Sequence, residues 1–335
     1  MNWILKNFIP KLTLVLFLFF ILEACSKSDS DDDSKTIILA HAMHLTHPVS
    51  VAMYRMADLV ETYSDGQLKI TIYPTQQLGT ERELLELAQI GTIGMTKISA
   101  GTLENIVPAM RVFSLPYLFR DSEHANMVFE GQVGKDMLLE GVNYGLRGLT
   151  YYDAGSRSLY TTNRPINAPS DLSGLKIRVM ESVIAMNLIS SMGGSPTPLS
   201  YGELYTAFQG GIVDGAENNP PSFYSSRHYE VVDYYILNEH TTIPDVLVIS
   251  NKIWEGLNEE EQSWLQKAID ESAEYQQVLW RESVEESMSV VKEAGVTIIH
   301  PDKNLFRKQL RPMLDQFRAD NPELYKWVDQ IHQVE

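Results

Sequence analysis

The chain has 335 residues, of which 44% are hydrophobic and 21% are charged, a composition typical of a soluble globular protein with room for two domains of ordinary size. The formal net charge is −17, and no run of Lys and Arg compensates for it, which argues against a nucleic-acid partner. A single cysteine excludes a disulfide framework within the chain. The stability of the fold must therefore come from its hydrophobic core.

The N-terminus has the pattern of a secretory signal. Two lysines precede an apolar run at residues 12–22, interrupted by Thr13, which is shorter than the roughly 20 residues that a membrane-spanning helix needs. The pattern predicts a signal peptide over residues 1–24. Cys25 directly follows Leu-Glu-Ala and resembles the lipidated cysteine of a bacterial lipobox; an uncleaved anchor and an ordinary thiol are the alternatives. A lipidated Cys25 would leave residues 25–33 as a flexible Asp/Ser tether facing an extracytoplasmic space.

Strand and helix patterns alternate between residues 36 and 250. Apolar runs and period-two alternation predict strands at residues 36–40, 68–73, 175–179, 212–216 and 245–250, with a further apolar segment at 93–98. Helical spacing predicts helices at residues 51–63, 81–89, 182–191 and 201–208. Alternation of this kind predicts an α/β fold.

A long helix is predicted near the end of the chain. Asn258 is a suitable N-cap, three glutamates follow it at the positive end of the helix dipole, and the next stop signal is Gly295. At 1.5 Å per residue such a helix is about 54 Å long, which exceeds one small domain and predicts a strut across two lobes. Its apolar stripe is predicted to contact the core and comprises Trp264, Leu265, Ala268, Ile269, Leu279, Met288 and Val291.

Signatures of catalysis and metal binding are incomplete. The chain has no Walker loop. His41, His44 and His47 share a three-residue spacing, but they follow a strand and precede a proline, which does not favour one helix presenting all three. Glu81 and Glu83 lie two positions apart on a helix and so do not face each other. No metal, cofactor or catalytic residue is predicted.

A set of short segments, in matching order and spacing, resembles one known family. The segments are residues 77–79 (Gln-Leu-Gly), 115–120, 171–179, 196–198, 203–209, 213–218 and 228–231. Together they resemble the DctP family, the substrate-binding subunits of tripartite ATP-independent periplasmic (TRAP) transporters. The resemblance implies a two-lobe α/β periplasmic-binding-protein-like fold that closes like a flytrap over an organic anion, with the long helix spanning both lobes. The expected lobes are residues 34–155 plus 244–283, and 156–243 plus 284–335.

The resemblance also implies ligand-binding residues. Arg178 matches the arginine that grips the ligand carboxylate, for which a guanidinium offers a planar fork of donors; pairing with an internal carboxylate is the alternative. Arg157 matches a second arginine facing the same anion. Asn218 matches a ligand-binding asparagine, but here Asn219 stands between it and the proline, so either amide is a candidate.

Five further positions are implied at the cleft, and they suggest a class of ligand. They are Glu81, Lys97, Ser99, Tyr201 and His44, with an ordinary core role as the alternative for Tyr201. The Asn-Asn variant together with Glu81 and Lys97 is similar to the branch that takes hexuronates such as glucuronate or galacturonate. A polyhydroxy acid would use more of these polar groups than a plain dicarboxylate. The predicted partners are a sugar-acid ligand and TRAP membrane subunits.

Other functions remain compatible with the same residues. The chain could bind a C4-dicarboxylate or another sugar acid, or it could serve a signalling receptor as a ligand-sensing subunit. An enzyme that processes uronosides would use Glu81 or Glu217. The expectation is a binding protein that returns its ligand chemically unchanged, rather than an enzyme.

Overall fold

Two mixed β-sheets organise residues 34–335, the part of the chain that the computed structural model describes. The strands in chain order are β1 (Lys35–Ala40), β2 (Leu68–Tyr73), β3 (Met95–Ser99), β4 (Leu146–Tyr152), β5 (Ser156–Thr161), β6 (Lys176–Val179), β7 (Ser195–Pro198), β8 (Gly215–Asn218), β9 (Tyr234–Thr242), β10 (Asp245–Ser250) and β11 (Thr297–Ile299). Sheet A has the order β2-β1-β3-β10-β4, and sheet B has the order β11-β9-β5-β8-β6-β7. The predicted signal peptide, Cys25 and the tether lie outside the described residues.

Helices cover both sheets. They are α1 (Pro48–Tyr63), α2 (Glu81–Ile90), α3 (Ala100–Leu103), α4 (Ser122–Glu130), α5 (Gln132–Leu139), α6 (Val183–Ser191), α7 (Leu204–Gln209), α8 (Pro220–Ser225), α9 (Asn251–Glu255), α10 (Glu259–Glu293), α11 (Lys303–Asp320) and α12 (Pro322–His332). Short 3₁₀ helices are Pro108–Ser114, Val142–Tyr144, Pro169–Leu172, Tyr201–Glu203 and His228–Glu230. Within residues 34–335, no helix combines the length and the apolar character needed to cross a membrane.

Strand register brings the polar residues of each sheet together. In sheet A, β1 and β3 are parallel, and β10 lies antiparallel between β3 and β4. This places Asp245, at the start of β10, opposite Ser99 at the end of β3. In sheet B, Ser158 in β5 lies opposite Asn218 in β8, and Arg178 in β6 pairs with β8 two residues earlier. In each sheet, neighbouring strands therefore bring charged and amide side chains close together.

Two short segments cross directly between the sheets. Residues 153–155 join β4 to β5, and residues 243–244 join β9 to β10. The first crossing is tied to α10, because the Gln276 carboxamide accepts from the backbone N–H of Asp153 (2.9 Å) and donates to its carbonyl (2.7 Å). The two sheets are thus connected by little backbone, and the long helix holds one of the connections.

The long helix is confirmed close to its predicted ends. The Asn258 side chain accepts from the N–H groups of the first turn, and Glu261 completes the capping box. Leu265 and Ile269 pack in the core cluster that contains α1 and sheet A residues, while Val291 packs in a cluster of sheet B residues. With 35 residues, the helix is about 53 Å long. It therefore contributes apolar side chains to the cores beside both sheets.

The buried face of this helix differs in part from the predicted apolar stripe. Trp264, Leu279 and Met288 are only half-buried, whereas Trp280 is buried on an adjacent face. The indole of Trp280 lies against Gly155, where an added Cβ would be 3.1 Å from the indole nitrogen. A glycine is favoured there also because its φ is +54°. Trp280 thus packs against the first crossing segment.

Most predicted elements are present, with small shifts at their ends. The strands at residues 68–73 and 245–250 have the predicted bounds. Helix α1 starts at Pro48 rather than residue 51, because the His47 side chain accepts the N–H of Val49 and caps the first turn. The predicted helix over residues 201–208 begins as a 3₁₀ turn and becomes α-helical at α7.

One predicted strand was misplaced. The expected strand at residues 212–216 begins only at Gly215. Ile212, which supplied the apolar start of the pattern, is 53% exposed and follows the turn that ends α7. An exposed isoleucine in a turn was thus counted as a strand residue.

Candidate ligand site

A cavity lies between the two sheets and takes its lining from both. The lining residues are Met43, Glu81, Lys97, Ser99, Ala154, Arg157, Arg178, Met180, Tyr201, Asn218, Asn219, Ser222, Ile243 and Asp245. The space enclosed between the walls is about 40 Å³, far less than the roughly 300–1,000 Å³ of small-molecule sites. A sugar ring can therefore enter only if the two walls move apart.

The sheet A wall carries one lysine between two carboxylates. Lys97 Nζ lies 2.9 Å from Glu81 Oε1 and 3.1 Å from Asp245 Oδ1. Burial disfavours the ammonium charge, but the two carboxylates outweigh it and raise the pKa of Lys97. Burial also raises the pKa of Asp245, against the effect of Lys97. These three residues, which we name the sheet A cluster, carry one excess negative charge when all are ionised.

The sheet B wall contains two arginines with different partners. Arg157 forms a two-pronged ion pair with Glu217, with Nε–Oε2 at 2.5 Å and Nη2–Oε1 at 2.9 Å. Its Nη2 also donates to the Glu217 carbonyl, and Nη1 donates to Asn218 Oδ1 (2.9 Å). The buried carboxylate raises the pKa of Arg157 although burial itself opposes the charge. All three nitrogens of this guanidinium are therefore occupied by the protein.

Arg178 has a carbonyl rather than a carboxylate as its partner. Its Nε and Nη2 donate to the Leu199 carbonyl at 2.9 and 2.7 Å. Among residues 34–335, no carboxylate pairs with Arg178 and Nη1 makes no hydrogen bond. Burial lowers the pKa of Arg178. Arg157, Arg178 and Glu217, which we name the sheet B cluster, carry one excess positive charge, and Arg178 is its source.

The two asparagines use their oxygens internally. Asn218 Oδ1 accepts from Arg157 and from the backbone N–H of Asn219 at 2.9 Å each. Asn219 Oδ1 caps α8 by accepting the Ser222 N–H at 2.8 Å. Both side chains line the cavity, so what each can offer a ligand is its NH₂ group, a hydrogen-bond donor.

Three further predicted ligand residues differ in placement. Tyr201 lines the cavity, and its hydroxyl donates to the Ser222 carbonyl at 3.0 Å. Ser99 also lines it, with its hydroxyl 3.5 Å from Met180 Sδ. His44 does not line it; its exposed ring lies 3.0 Å from Thr46 Oγ1. The loop after β1 instead contributes its neighbour Met43 to the lining.

Several lining residues were not predicted from the sequence. Asp245 is the most consequential, because it completes the sheet A cluster. A carboxylate at the start of the otherwise apolar strand β10 departs from the strand pattern, and this departure is a usable signal. Ala154 and Ile243 line the cavity because they belong to the crossing segments, which the sequence pattern does not identify.

The histidines near the start of the chain form part of a loop. His41 Nδ1 accepts the N–H of Met43 at 3.2 Å, and His47 Nε2 lies 3.1 Å from Ser222 Oγ. Burial lowers the pKa of both rings to about 3, with a smaller contribution from the charge of Lys97. Residues 34–335 contain no group of three or more acidic, histidine or cysteine side chains placed to hold a metal ion.

Comparison with known proteins identifies the family. Residues 39–320 match the model of DctP, bacterial extracellular solute-binding protein, family 7. The chain belongs to this family. A solute-binding protein of Chromohalobacter salexigens is 34% identical over 291 residues, which cover 87% of each protein. The predicted family, fold and solute-binding role are thus confirmed.

Solved structures extend the comparison to TRAP periplasmic solute-binding proteins. One from a Bradyrhizobium species, in complex with galacturonate, is 37% identical with a TM-score of 0.86, covering 89% of this chain and 99% of the other. One from Anaerococcus prevotii, with bound glucuronate, is 33% identical with a TM-score of 0.88, covering 90% and 98%. This protein is a TRAP solute-binding protein of the two-sheet α/β fold with a long helix.

Proposed function

We propose that this DctP-family protein captures a hexuronate such as galacturonate or glucuronate and presents it to the membrane subunits of a TRAP transporter. The observation that carries the proposal is the opposite charge balance of the two cavity walls. A carboxylate bound at the sheet B cluster would meet Arg178 Nη1, which makes no hydrogen bond to the described part of the chain, residues 34–335. Galacturonate and glucuronate in related structures support the same class of ligand.

The sheet A cluster favours hydroxyl groups over a second carboxylate. Glu81 and Asp245 outnumber Lys97, so a second anionic group on that wall would meet net negative charge in a poorly solvated site. A sugar hydroxyl can instead donate to either carboxylate. This asymmetry supports a monocarboxylic polyhydroxy acid over a C4-dicarboxylate.

Binding would proceed by closure of two lobes. The lobes are residues 34–155 plus 244–283 and residues 156–243 plus 284–335, a division supported by the strand content of the two sheets. The ligand bridges both walls and favours the closed arrangement, so the membrane subunits can distinguish loaded from empty protein by shape. No bond is made or broken, and the protein acts as a carrier rather than an enzyme.

The site of action is extracytoplasmic, and lipidation at Cys25 would hold the protein at the membrane. The family is extracellular, and the lipobox-like sequence supports the anchor. Labelling of the full-length protein with a fatty-acid analogue, compared with Cys25→Ala, tests this point. Equal labelling of both would contradict lipidation at this residue.

A thermal-shift screen of residues 34–335 tests the ligand class. Galacturonate and glucuronate are compared with succinate, sialate, an aldonate and amino acids. A ligand present at 100 times its dissociation constant adds about 2.7 kcal/mol to the free energy of unfolding. We expect stabilisation by a uronate that Arg178→Ala abolishes and that Arg82→Ala retains, because Arg82 is an exposed arginine paired within its own helix. Stabilisation by succinate alone would contradict the uronate assignment but not the binding role.

A further inference from the structure

A close contact joins the two sides of the cavity where neither crossing segment takes part. Gln76 lies in the loop that leads from β2 to Glu81, and Gly202 follows Tyr201 in a 3₁₀ turn. A Cβ added to Gly202 would be 2.1 Å from Gln76 Oε1 and 2.9 Å from Gln76 Cδ. The carboxamide of Gln76 therefore rests directly on the backbone of Gly202, the chain neighbour of the lining residue Tyr201.

The backbone around Gln76 is strained and firmly held. Thr75 and Gln76 have φ values of +53° and +59°, a left-handed conformation that costs a non-glycine residue about 1–2 kcal/mol. The N–H of Thr75 donates to the Met43 carbonyl (3.2 Å), and that of Gln76 donates to the His41 carbonyl (3.1 Å). These bonds fix the loop to the end of β1. Strain of this kind is common at functional sites.

The carboxamide of Gln76 is placed by packing. Its Nε2 is buried and makes no hydrogen bond to the protein within residues 34–335. The contact with Gly202 closes the gap between the two sides at this point.

We propose that Gln76 and Gly202 form a stop that seals the mouth of the ligand cavity and restricts the protein to single sugar acids. The proposal rests on the proposed function. A ligand extended by a second sugar ring would have to pass through the gap that the Gln76 carboxamide fills, and the walls could not close around it.

Binding of galacturonate and of digalacturonate, measured by calorimetry, tests the stop. We expect the wild type to bind galacturonate and to discriminate against digalacturonate at least tenfold. Gln76→Ala keeps galacturonate affinity within about threefold and reduces that discrimination to less than threefold, because it removes the carboxamide and leaves the backbone in place. Gln77→Ala, at an exposed neighbour, serves as the matched control and behaves as the wild type.

Gly202→Ala tests the contact from the other side. Its φ lies outside the left-handed region, so alanine is compatible with the backbone, but its Cβ displaces the carboxamide and hinders closure. We expect galacturonate binding about tenfold weaker, in line with overpacking of a tight contact, and its recovery in Gln76→Ala/Gly202→Ala. Gly210→Ala, where the nearest atoms are 3.4 Å away or more, is the control.

The outcomes separate the two proposals. A wild type that binds both acids equally, or variants that match it for both acids, overturn the stop and leave the proposed function intact. A wild type that binds no uronate overturns both. Thermal melting of each variant without ligand, expected to show one cooperative transition, excludes misfolding as the cause of any change in binding.

Discussion

The two walls of the ligand cavity differ in how their buried charges are paired and in the sign of the excess charge. On the sheet A wall, Lys97 is shared by Glu81 and Asp245, and the excess charge is negative. On the sheet B wall, Arg157 is matched by Glu217, while the hydrogen bonds of Arg178 within residues 34–335 go to the Leu199 carbonyl. Cations that are already paired hold the wall together, and the cation without a carboxylate is the one available to an anion. Residue type alone does not show which of these cations is paired and which is available to a ligand.

The largest effect is expected from Lys97→Met. Removal of the ammonium leaves two carboxylates without their partner in a buried site, which costs about 3–5 kcal/mol of unfolding free energy. The pKa of Asp245, already raised by burial, rises further. A carboxyl whose pKa is raised on folding binds more protons in the folded state, so the variant should regain stability as the pH falls.

Urea unfolding of Lys97→Met between pH 7 and 5 measures both effects. Lys176→Met is a matched control, because that lysine is exposed at the start of β6. The control should lose less than about 0.5 kcal/mol. A Lys97→Met variant as stable as this control at pH 7 would show that the sheet A cluster does not depend on its central charge.

Arg157→Ala is also expected to lower the free energy of unfolding, but by less, because it leaves one carboxylate without a partner instead of two. Glu217 would remain buried without its ion pair, at a cost of about 3 kcal/mol, and Asn218 would lose a donor. Chemical unfolding without ligand is the measurement. An unchanged unfolding free energy combined with lost uronate binding would mean that Arg157 serves the ligand directly, as its family position suggests.

Arg178→Ala should weaken ligand binding strongly and change the free energy of unfolding little. Its loss removes the cation that has a spare donor, and uronate binding should weaken about 100-fold, since two charge-assisted hydrogen bonds contribute about 1.5 kcal/mol or more each. Stability without ligand should change far less than for Arg157→Ala. Calorimetric titration of both variants decides the comparison, and Arg178→Lys should recover only part of the affinity, because lysine keeps the charge and loses the fork.

Elements whose ends are set by neighbouring residues in the chain could be predicted from the sequence. The long helix could be bounded because Asn258 and Gly295 act within one turn of its ends. Strand β10 is continuously apolar from Val246 to Ile249, and its bounds followed from this run. Strand β9 was missed because it buries Asn238, His240 and Thr241. Buried polar residues do not produce an apolar pattern, and their partners lie far away in the chain.

The candidate site shows the same limit more sharply. The predicted residues lie at one cavity, except His44. They could be predicted because they lie in or near segments that resemble the DctP family. The pairing of Arg157 with Glu217 joins residues 60 positions apart, and that of Lys97 with Asp245 joins residues 148 apart. Such pairs arise from strand order and register. Sequence reasoning therefore identified Arg157, Arg178, Lys97 and Glu81, but it missed Asp245 and did not show which charges cancel.

The smallest effect, and the most specific one, is expected from Asp245→Asn. The amide oxygen can still accept from Lys97, so the wall should stay intact, while the sheet A cluster loses its excess negative charge. A second carboxylate on the ligand would then meet a neutral wall. Uronate affinity should fall by a few-fold and affinity for a diacid such as galactarate should rise, so that the ratio of the two shifts about tenfold toward the diacid. Calorimetry with both acids measures this ratio, and Asp270→Asn on the exposed face of α10 is the control. If the ratio stays constant, the ligand's second end does not reach Asp245, and the charge asymmetry of the walls does not select against diacids.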